Sequence, residues 1–206
     1  MARKSSRTGK SSSGVPMLGT PGPGPGIKLV VGMGNPGRRY RNTRHNAGAT
    51  AAAELAGRGR IVSRARWDMG ELALIAIGER TFLLLLPSTY MNESGRSVAP
   101  VARRYRLDPG EVMVLHDDID IPAGEIRVKK GGGTGGHRGL ESLGRELGGT
   151  EFCRVRIGVG RPPEGVDAAE YVLARPEEGA RSAVGESARR AADAALGLMV
   201  GDETVG

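Results

Sequence analysis

The chain has 206 residues, 38% hydrophobic and 26% charged, a composition typical of one globular domain with a sizeable core. Its net charge of +7 and isoelectric point near 10.1 favour an anionic partner such as nucleic acid. No apolar run approaches the roughly 20 residues of a membrane span, and we expect a cytoplasmic protein without a signal peptide. The single cysteine, Cys153, excludes an internal disulfide and indicates a reducing compartment and a packing role.

Residues 1–27 are dominated by Ser, Gly, Pro, Lys and Arg and contain no acidic residue. So few apolar side chains cannot offset the entropy of ordering, which predicts a disordered basic tail. The composition also faintly resembles a transit peptide, although Pro21, Pro23 and Pro25 argue against an amphipathic helix nearby. Organelle targeting stays open as an alternative. We expect one folded domain over residues 28–200 and a flexible C-terminus at 201–206.

Hydrophobic periodicity predicts strands that alternate with helices along this domain. Strands are expected at 28–31, 71–77, 81–86, 112–115, 125–130 and 154–160, and helices at 47–56, around 98–105, 140–147 and from 176 to about 200. The second and third strands are joined by three residues and form an antiparallel hairpin. The expected fold class is therefore α/β, a single domain with a twisted, mixed and partly parallel sheet flanked by helices on both faces.

The first predicted strand runs into a glycine-rich turn, Gly32–Gly37, which satisfies the pattern G-x-G-x-x-G of dinucleotide-binding turns. Glu54 follows at about the spacing of a ribose-binding acid. A dinucleotide-binding turn should open directly into a helix, whereas here an arginine-rich polar stretch intervenes. Glu54 also falls inside a predicted helix. The context therefore argues against a dinucleotide cofactor.

All three histidines, His45, His116 and His137, are predicted to lie in polar loops that follow strands. Active sites of open α/β sheets collect in such loops, and histidine is the natural general base near neutral pH. No G-x-S-x-G motif is present, and Cys153 has no activating helix N-terminus. The pattern favours water activated by histidine, with a carboxylate on the second ring nitrogen, over a covalent intermediate.

The acidic run that follows His116, with Asp117, Asp118 and Asp120, offers two alternatives. Together with His45 it could ligate a hydrolytic metal ion, or it could be a solvated acidic loop. Neither a spaced His/Cys pair nor H-E-x-x-H accompanies it. We therefore expect no metal and no cofactor.

Three asparagines, Asn35, Asn46 and Asn92, fall in separate predicted loops. Amides in such loops could bind a peptide backbone or stabilise an oxyanion, although a turn or capping role is the alternative, especially for Asn46.

Basic side chains cluster around the glycine-rich run Gly131–Gly136 and the strand that follows it, namely Lys129, Lys130, Arg138, Arg154 and Arg156. Cations beside exposed backbone N–H groups suit a phosphate. With 3% aromatic residues, base stacking is not expected to be the main binding mode.

Taken together and in order, these segments resemble the bacterial-type peptidyl-tRNA hydrolases. The matching segments are 31–37, 40–48, 87–95, 116–122, 131–140 and 156–160, and the resemblance extends over about residues 27–175. It implies a monomeric enzyme of translation, with a mixed sheet between helices and no metal or cofactor. The implied reaction cleaves the ester that joins a peptide to the 3′ ribose of tRNA and so recycles prematurely released peptidyl-tRNA.

The resemblance also implies roles for individual residues. His45 resembles the base that activates water, and Asp117 the carboxylate that orients it, while Asn35 and Asn92 are similar to the residues that hold the peptide and the oxyanion. The substrate-binding residues implied are Tyr40, Asn46, Tyr90, His137 and Arg138. The residues implied to grip the tRNA phosphate are Lys129 and Arg156.

Two positions depart from the family pattern. Arg138 stands where the family usually has Asn, and Thr134 where it often has His. The basic N-terminal tail is extra, and the segment after Leu196 is short. Some relatives are RNA-binding partner proteins without activity, so a non-catalytic module is the alternative. The presence of His45 and Asp117 favours the enzyme.

Overall fold

The computed structural model describes residues 14–22 and 26–200. The strands are β1 (Leu29–Gly32), β2 (Arg60–Trp67), β3 (Gly70–Ile77), β4 (Arg80–Pro87), β5 (Val112–Asp118), β6 (Ile126–Lys130) and β7 (Cys153–Gly158). The helices are α1 (Ala47–Ala56), α2 (Ser94–Tyr105), α3 (Arg138–Leu147), α4 (Ala168–Leu173) and α5 (Glu178–Val200). Within the described ranges, no helix has the length and apolar character required to cross a bilayer.

The strands form one sheet in the order β2-β3-β4-β1-β5-β7-β6. β1 lies parallel to β4 and β5, and β5 lies parallel to β7, whereas the β2–β3, β3–β4 and β6–β7 pairs are antiparallel. The carboxyl ends of β1, β4 and β5 therefore meet at one edge of the sheet, where loops of α/β proteins build their sites. The predicted mixed sheet is confirmed.

The core has two layers because successive residues of each strand face opposite sides of the sheet. Leu29 and Val31 are buried with α2 and α3 on one side, and Val30 is buried with α1 and α5 on the other. α1 lies close to β5, since a Cβ at Gly48 would overlap the Leu115 carbonyl. The missing side chain lets the start of α1 approach the end of β5. The prediction of helices on both faces is confirmed.

Two elements were not predicted, and one strand is longer than predicted. β2 is an edge strand rich in exposed basic residues, and α4 is a single short helix of six residues. β5 continues through His116 and Asp117 to Asp118. The prediction that His116 lies in a loop is therefore wrong, because hydrogen bonding to β7 carries the strand further than its apolar run.

Residues 14–22 differ from the disorder expected for the whole of residues 1–27. Leu18 donates its N–H to the Tyr105 hydroxyl at 2.9 Å, and Gly22 donates to the Thr81 carbonyl at 2.8 Å. Val15 and Leu18 pack against the core layer of α2, and this burial offsets the ordering of the segment. The rest of the predicted tail, residues 1–13 and 23–25, lies outside the described residues, as does the predicted flexible C-terminus at 201–206.

Candidate active site

A cavity of about 510 Å³ opens at the carboxyl edge of β5. Its lining includes six of the eleven residues to which the family resemblance assigns a role, namely His45, Asp117, Lys129, His137, Arg138 and Arg156. These residues come from the turn before α1, from β5, β6 and β7, and from the start of α3. The fold thus brings together residues that are far apart in the sequence, the most distant being His45 and Arg156, 111 positions apart.

At the centre of the cavity wall His45 and Asp117 form a hydrogen-bonded pair. Nδ1 of His45 lies 2.9 Å and 3.0 Å from the two carboxylate oxygens of Asp117, which is 2% exposed. An ionised carboxylate only accepts hydrogen bonds, so Nδ1 carries the proton. The lone pair of the neutral ring is therefore on Nε2. This is the tautomer that a general base requires.

His137 reaches the same carboxylate from the start of α3. Its Nδ1 accepts hydrogen bonds from the N–H groups of Gly139 and Leu140 at 3.2 and 3.3 Å, which caps the helix. Because Nδ1 accepts, the proton of the neutral ring is on Nε2, which donates to Oδ1 of Asp117 at 3.2 Å. Asp117 therefore receives a hydrogen bond from each of two imidazoles.

These two donors also determine the ionisation of Asp117. Burial alone would raise the pKa of Asp117, but interaction with His45 and the hydrogen bonds from His137 and His45 outweigh it. The pKa of the carboxyl consequently lies well below its usual range. Asp117 is a fixed negative charge at neutral pH.

His116 is the third histidine of the cluster, and it is 2% exposed. Its Nδ1 donates to the Asp117 carbonyl at 2.7 Å, and its ring packs edge-on against His137 with centroids 5.0 Å apart. Within the described part of the chain, its buried Nε2 has no hydrogen-bond partner. Burial, followed by interaction with His137, lowers its pKa to about 3. His116 is thus neutral and adds no positive charge to the histidine cluster.

A pH dependence of stability follows from this burial. Below about pH 6.5 the unfolded chain protonates His116 while the folded chain does not, so the free energy of unfolding falls as pH drops from about 6.5 towards 3. The slope from one such proton is about 1.4 kcal/mol per pH unit. In urea titrations at pH 7 and pH 5, His116→Phe should lose less stability between the two pH values than the unsubstituted chain. Equal losses would contradict the assignment.

His45, Asp117 and His137 also meet the geometric condition for a metal site, since their ligand atoms lie within 4.8 Å of one another. The hydrogen bonds argue for another use. Nδ1 of His45 and Nε2 of His137 both carry the protons that they donate to Asp117, so neither has a lone pair to offer there. A cation would have to displace both protons. The donor set therefore suits proton transfer at Nε2 of His45.

Burial raises the pKa of the Cys153 thiol at the start of β7, and Cys153 does not line the cavity. It is half-buried and packs against the core layer of α1 and α5. Covalent catalysis by this thiol is not supported.

Asn46 holds Asn35 in place. Its side-chain oxygen accepts from the Asn35 N–H at 2.9 Å, and its amide donates to the Asn35 carbonyl at 3.0 Å. The side-chain oxygen of Asn35 in turn accepts from the Met91 N–H at 2.8 Å. The amide NH2 of Asn35 is thereby left as the donor for a ligand. Asn46 does not cap α1 with its side chain, which answers the capping alternative.

The other residues expected to act on or bind the substrate are not part of the cavity lining, namely Asn35, Tyr40, Asn46, Tyr90 and Asn92. Tyr40 and Tyr90 form an edge-to-face pair with centroids 6.3 Å apart, and Tyr90 is 54% exposed. Asn92 is exposed in the 3-10 turn Met91–Glu93 and follows Met91, whose N–H donates to the Asn35 side chain. The Met91–Asn35 hydrogen bond thus connects the turn that carries Asn92 to the loop that carries Tyr40.

The basic residues divide into two groups. Arg154 is 2% exposed and donates to the carbonyls of Gly132 and Gly133 at 2.7 and 2.6 Å, so it holds the glycine-rich run in place. Arg156 donates from Nε to Asp118 at 2.8 Å, whereas Lys129 and Arg138 are exposed at the cavity. Because Arg154 is buried and bonded to the glycine-rich run, the expectation that its side chain binds a phosphate is not supported.

Sequence reasoning missed the contribution of α4. Asp167, Ala169 and Val172 line the cavity, and Tyr171 of the same helix contacts Arg44, the residue that precedes His45. Six residues give too few turns for a periodic signal. The available signal was Asp167 as an N-cap, since its side chain accepts from two N–H groups of the first turn.

Comparison with known proteins agrees with this arrangement. Residues 29–205 match the family model described as peptidyl-tRNA hydrolase. A peptidyl-tRNA hydrolase of Alkalilimnicola ehrlichii is 44% identical over 178 residues, which cover 85% of this chain and 90% of the relative. One from a Mycobacterium species is 51% identical over 146 residues, covering 70% of this chain and 76% of the relative.

A crystal structure of the peptidyl-tRNA hydrolase from Acinetobacter baumannii superimposes with a TM-score of 0.79 at 36% identity. The superposition covers 85% of this chain and 89% of that one. Sequence, architecture and the order of the site-bearing segments all lead to one assignment. The chain belongs to the peptidyl-tRNA hydrolase family.

Proposed function

We propose that this chain hydrolyses the ester between peptide and tRNA in peptidyl-tRNA, using water activated by His45 and no metal ion. The observation that carries the proposal is the His45–Asp117 pair, which leaves Nε2 of His45 as a base at the cavity. The alternative, a non-catalytic RNA-binding relative, has no support, because the relatives named above are all described as hydrolases. We further propose that it acts as a monomer in the cytoplasm, where translation produces the substrate.

In the proposed reaction Nε2 of His45 removes a proton from water as the water oxygen attacks the ester carbonyl. The carbonyl carbon becomes tetrahedral, and its oxygen becomes negatively charged. The imidazolium formed at His45 is stabilised by the anionic Asp117. Collapse of the intermediate breaks the bond to the ribose oxygen, which takes the proton back from Nε2. The products are a peptide with a free carboxylate and an intact tRNA.

The asparagines and tyrosines would bind the peptide side of the substrate. The NH2 of Asn35, whose side-chain oxygen accepts from the Met91 N–H, would donate to a peptide carbonyl or to the oxyanion. Asn92 would supply a second amide donor, and Tyr40 and Tyr90 would contact the peptide beyond it. Asn46 would act through Asn35, and His137 would face the ester while it holds Asp117.

The tRNA side would be bound by cations. Among the described residues Arg156 bonds only Asp118, through Nε, so its two terminal nitrogens would remain for a phosphate. Lys129 and Arg138 flank the glycine-rich run and are exposed at the cavity. Arg138, in place of the asparagine usual in the family, would add a third phosphate contact beside His137.

Lys129→Ala and Arg156→Ala should each weaken tRNA binding and reduce the dependence of log Kd on log salt by about one phosphate contact. Hydrolysis of a short N-blocked aminoacyl ester should change little, because that substrate has no phosphate. The measurement is tRNA binding at several salt concentrations beside ester kinetics. Equal losses on both substrates would assign these residues to the peptide side.

The proposal as a whole is tested with purified peptidyl-tRNA and protein that has been treated exhaustively with a chelator. We expect full release of peptide. Activity that is lost and then restored by zinc would replace the His45 mechanism with metal-assisted hydrolysis.

A further inference from the structure

The side chain of His45 is held by Asp117, and the residue before it, Arg44, is held by α4 and its C-cap. The Arg44 guanidinium lies 4.0 Å above the centre of the Tyr171 ring. Nη1 of Arg44 donates to the Tyr171 carbonyl at 3.3 Å, and the Arg44 N–H donates to the Ala174 carbonyl at 3.5 Å. One residue thus makes a cation–π contact and two hydrogen bonds to the end of α4.

The Tyr171 carbonyl lies in the last turn of α4, and Ala174 is the C-cap residue that follows the helix. The last carbonyls of a helix have no partners within it and carry partial negative charge, so a cation there is favourable. A second connection joins the same two segments, since Arg175 donates to the Arg38 carbonyl at 3.4 Å. The loop between β1 and α1 is therefore attached to α4 and the residues that follow it at both Arg38 and Arg44.

Tyr171 is itself anchored to the sheet. Its hydroxyl donates to the Val159 carbonyl at 3.0 Å, and the Val159 N–H donates to the Asp118 carbonyl at 3.0 Å. Asp118 follows Asp117 in β5. A continuous series of contacts therefore runs from the strand that carries Asp117, through Val159 and Tyr171, to Arg44 and so to the backbone of His45.

We infer that Arg44 and Tyr171 are positioning residues for the base, an inference that rests on the proposed role of His45. A single hydrogen-bonded nitrogen leaves an imidazole free to swing about that contact, so the direction of Nε2 depends on where the His45 backbone is held. The Arg44–Tyr171 stack fixes that backbone relative to β5. Because Ala169 and Val172 line the cavity, the same helix connects the shape of the cavity to the position of the base.

Arg44→Ala and Tyr171→Ala should each lower kcat by about 10²-fold, the scale expected when a reacting group is displaced by about 1 Å. KM should stay within about threefold, and the loss should be equal for peptidyl-tRNA and a short N-blocked ester. Arg44→Lys keeps the charge and should recover most of the activity. Tyr171→Phe keeps the ring but loses the hydroxyl bond to Val159, so it should recover the activity only in part. The downfield proton resonance of His45 Nδ1–H should move or broaden in the two alanine variants.

Arg41→Ala is the matched control, since Arg41 is exposed in the same loop and has no hydrogen bond or ion pair among the described residues. It should match the unsubstituted chain on the short ester. A kcat within twofold of normal in both alanine variants overturns the inference, as does a loss confined to KM. If an alanine variant does not fold, Tyr171→Phe and Arg44→Lys take its place. A lower kcat in either of these variants, with an unchanged His45 Nδ1–H resonance, would equally overturn the inference. His45→Ala is run alongside, and if it is active the proposed function fails instead.

Discussion

Replacing His45 with alanine should slow hydrolysis of peptidyl-tRNA by about 10²–10⁴-fold, the range of a general base. The imidazole would be lost while Asp117 keeps its hydrogen bond from His137, so the carboxylate stays partnered and the fold is retained. Single-turnover rates with saturating protein give the chemical step directly. The same variant should bind uncharged tRNA with an unchanged Kd, because Lys129 and Arg156 are untouched.

A near-normal rate in His45→Ala would exclude the base mechanism. Weakened tRNA binding with a normal rate at saturation would instead place His45 on the RNA side.

His116→Phe is a suitable companion, since it alters the same histidine cluster without removing the base. It should keep the greater part of the activity because, among the described residues, the one hydrogen bond of the His116 side chain is to the Asp117 carbonyl.

The second large effect is expected for Asp117→Asn. Two N–H groups fix the tautomer of His137, so its Nε2–H must face the amide oxygen of the new asparagine. The amide NH2 would then stand in place of Oδ2, 3.0 Å from Nδ1 of His45, while the amide oxygen is shared with His137. An NH2 donor at that distance favours the tautomer in which Nδ1 accepts and Nε2 carries the proton, and in that tautomer the base is lost. A carboxylate-to-amide change of this kind costs about 10⁴-fold in the Ser-His-Asp enzymes, and we expect a loss of about 10²–10⁴-fold here.

The double variant His45→Ala with Asp117→Asn tests whether the two residues act as one unit. If Asp117 works through His45, the double variant should be no slower than the slower single variant, since residues that act together are not additive. Losses that multiply would show that Asp117 contributes independently. Circular dichroism and thermal unfolding of all three variants check that each is folded.

The regular elements of the fold were readable from the sequence because burial imposes a period. Ala47–Ala56 was predicted with its observed bounds, and the hairpin of β3 and β4 to within one residue at each end. β2 was missed because an edge strand exposes basic side chains and lacks a continuous apolar run. Charge pattern alone does not separate such a strand from a loop.

The site was readable only in part, for a related reason. Histidines, acids and amides near glycine-rich turns indicated segments that the fold brings together, with His45, Asp117 and His137 in contact. The sequence did not show which polar residues hold other residues in place instead of binding the substrate. Asn46 holds Asn35, and Arg154 holds the glycine-rich run, through contacts that depend on chain segments far apart in sequence. Residue type alone made both look like ligand-binding groups.

The most direct measurement is incubation of the chain with a peptidyl-tRNA and, separately, with the same tRNA carrying an aminoacyl group with a free amine. The proposed cleft binds a peptide amide through Asn35 and activates water through His45, so it should release the peptide rapidly and leave the aminoacyl-tRNA essentially intact. His45→Ala should release neither. Equal release from both substrates, or release from neither by the unsubstituted chain, would contradict the assignment of this cleft to peptidyl-tRNA hydrolysis.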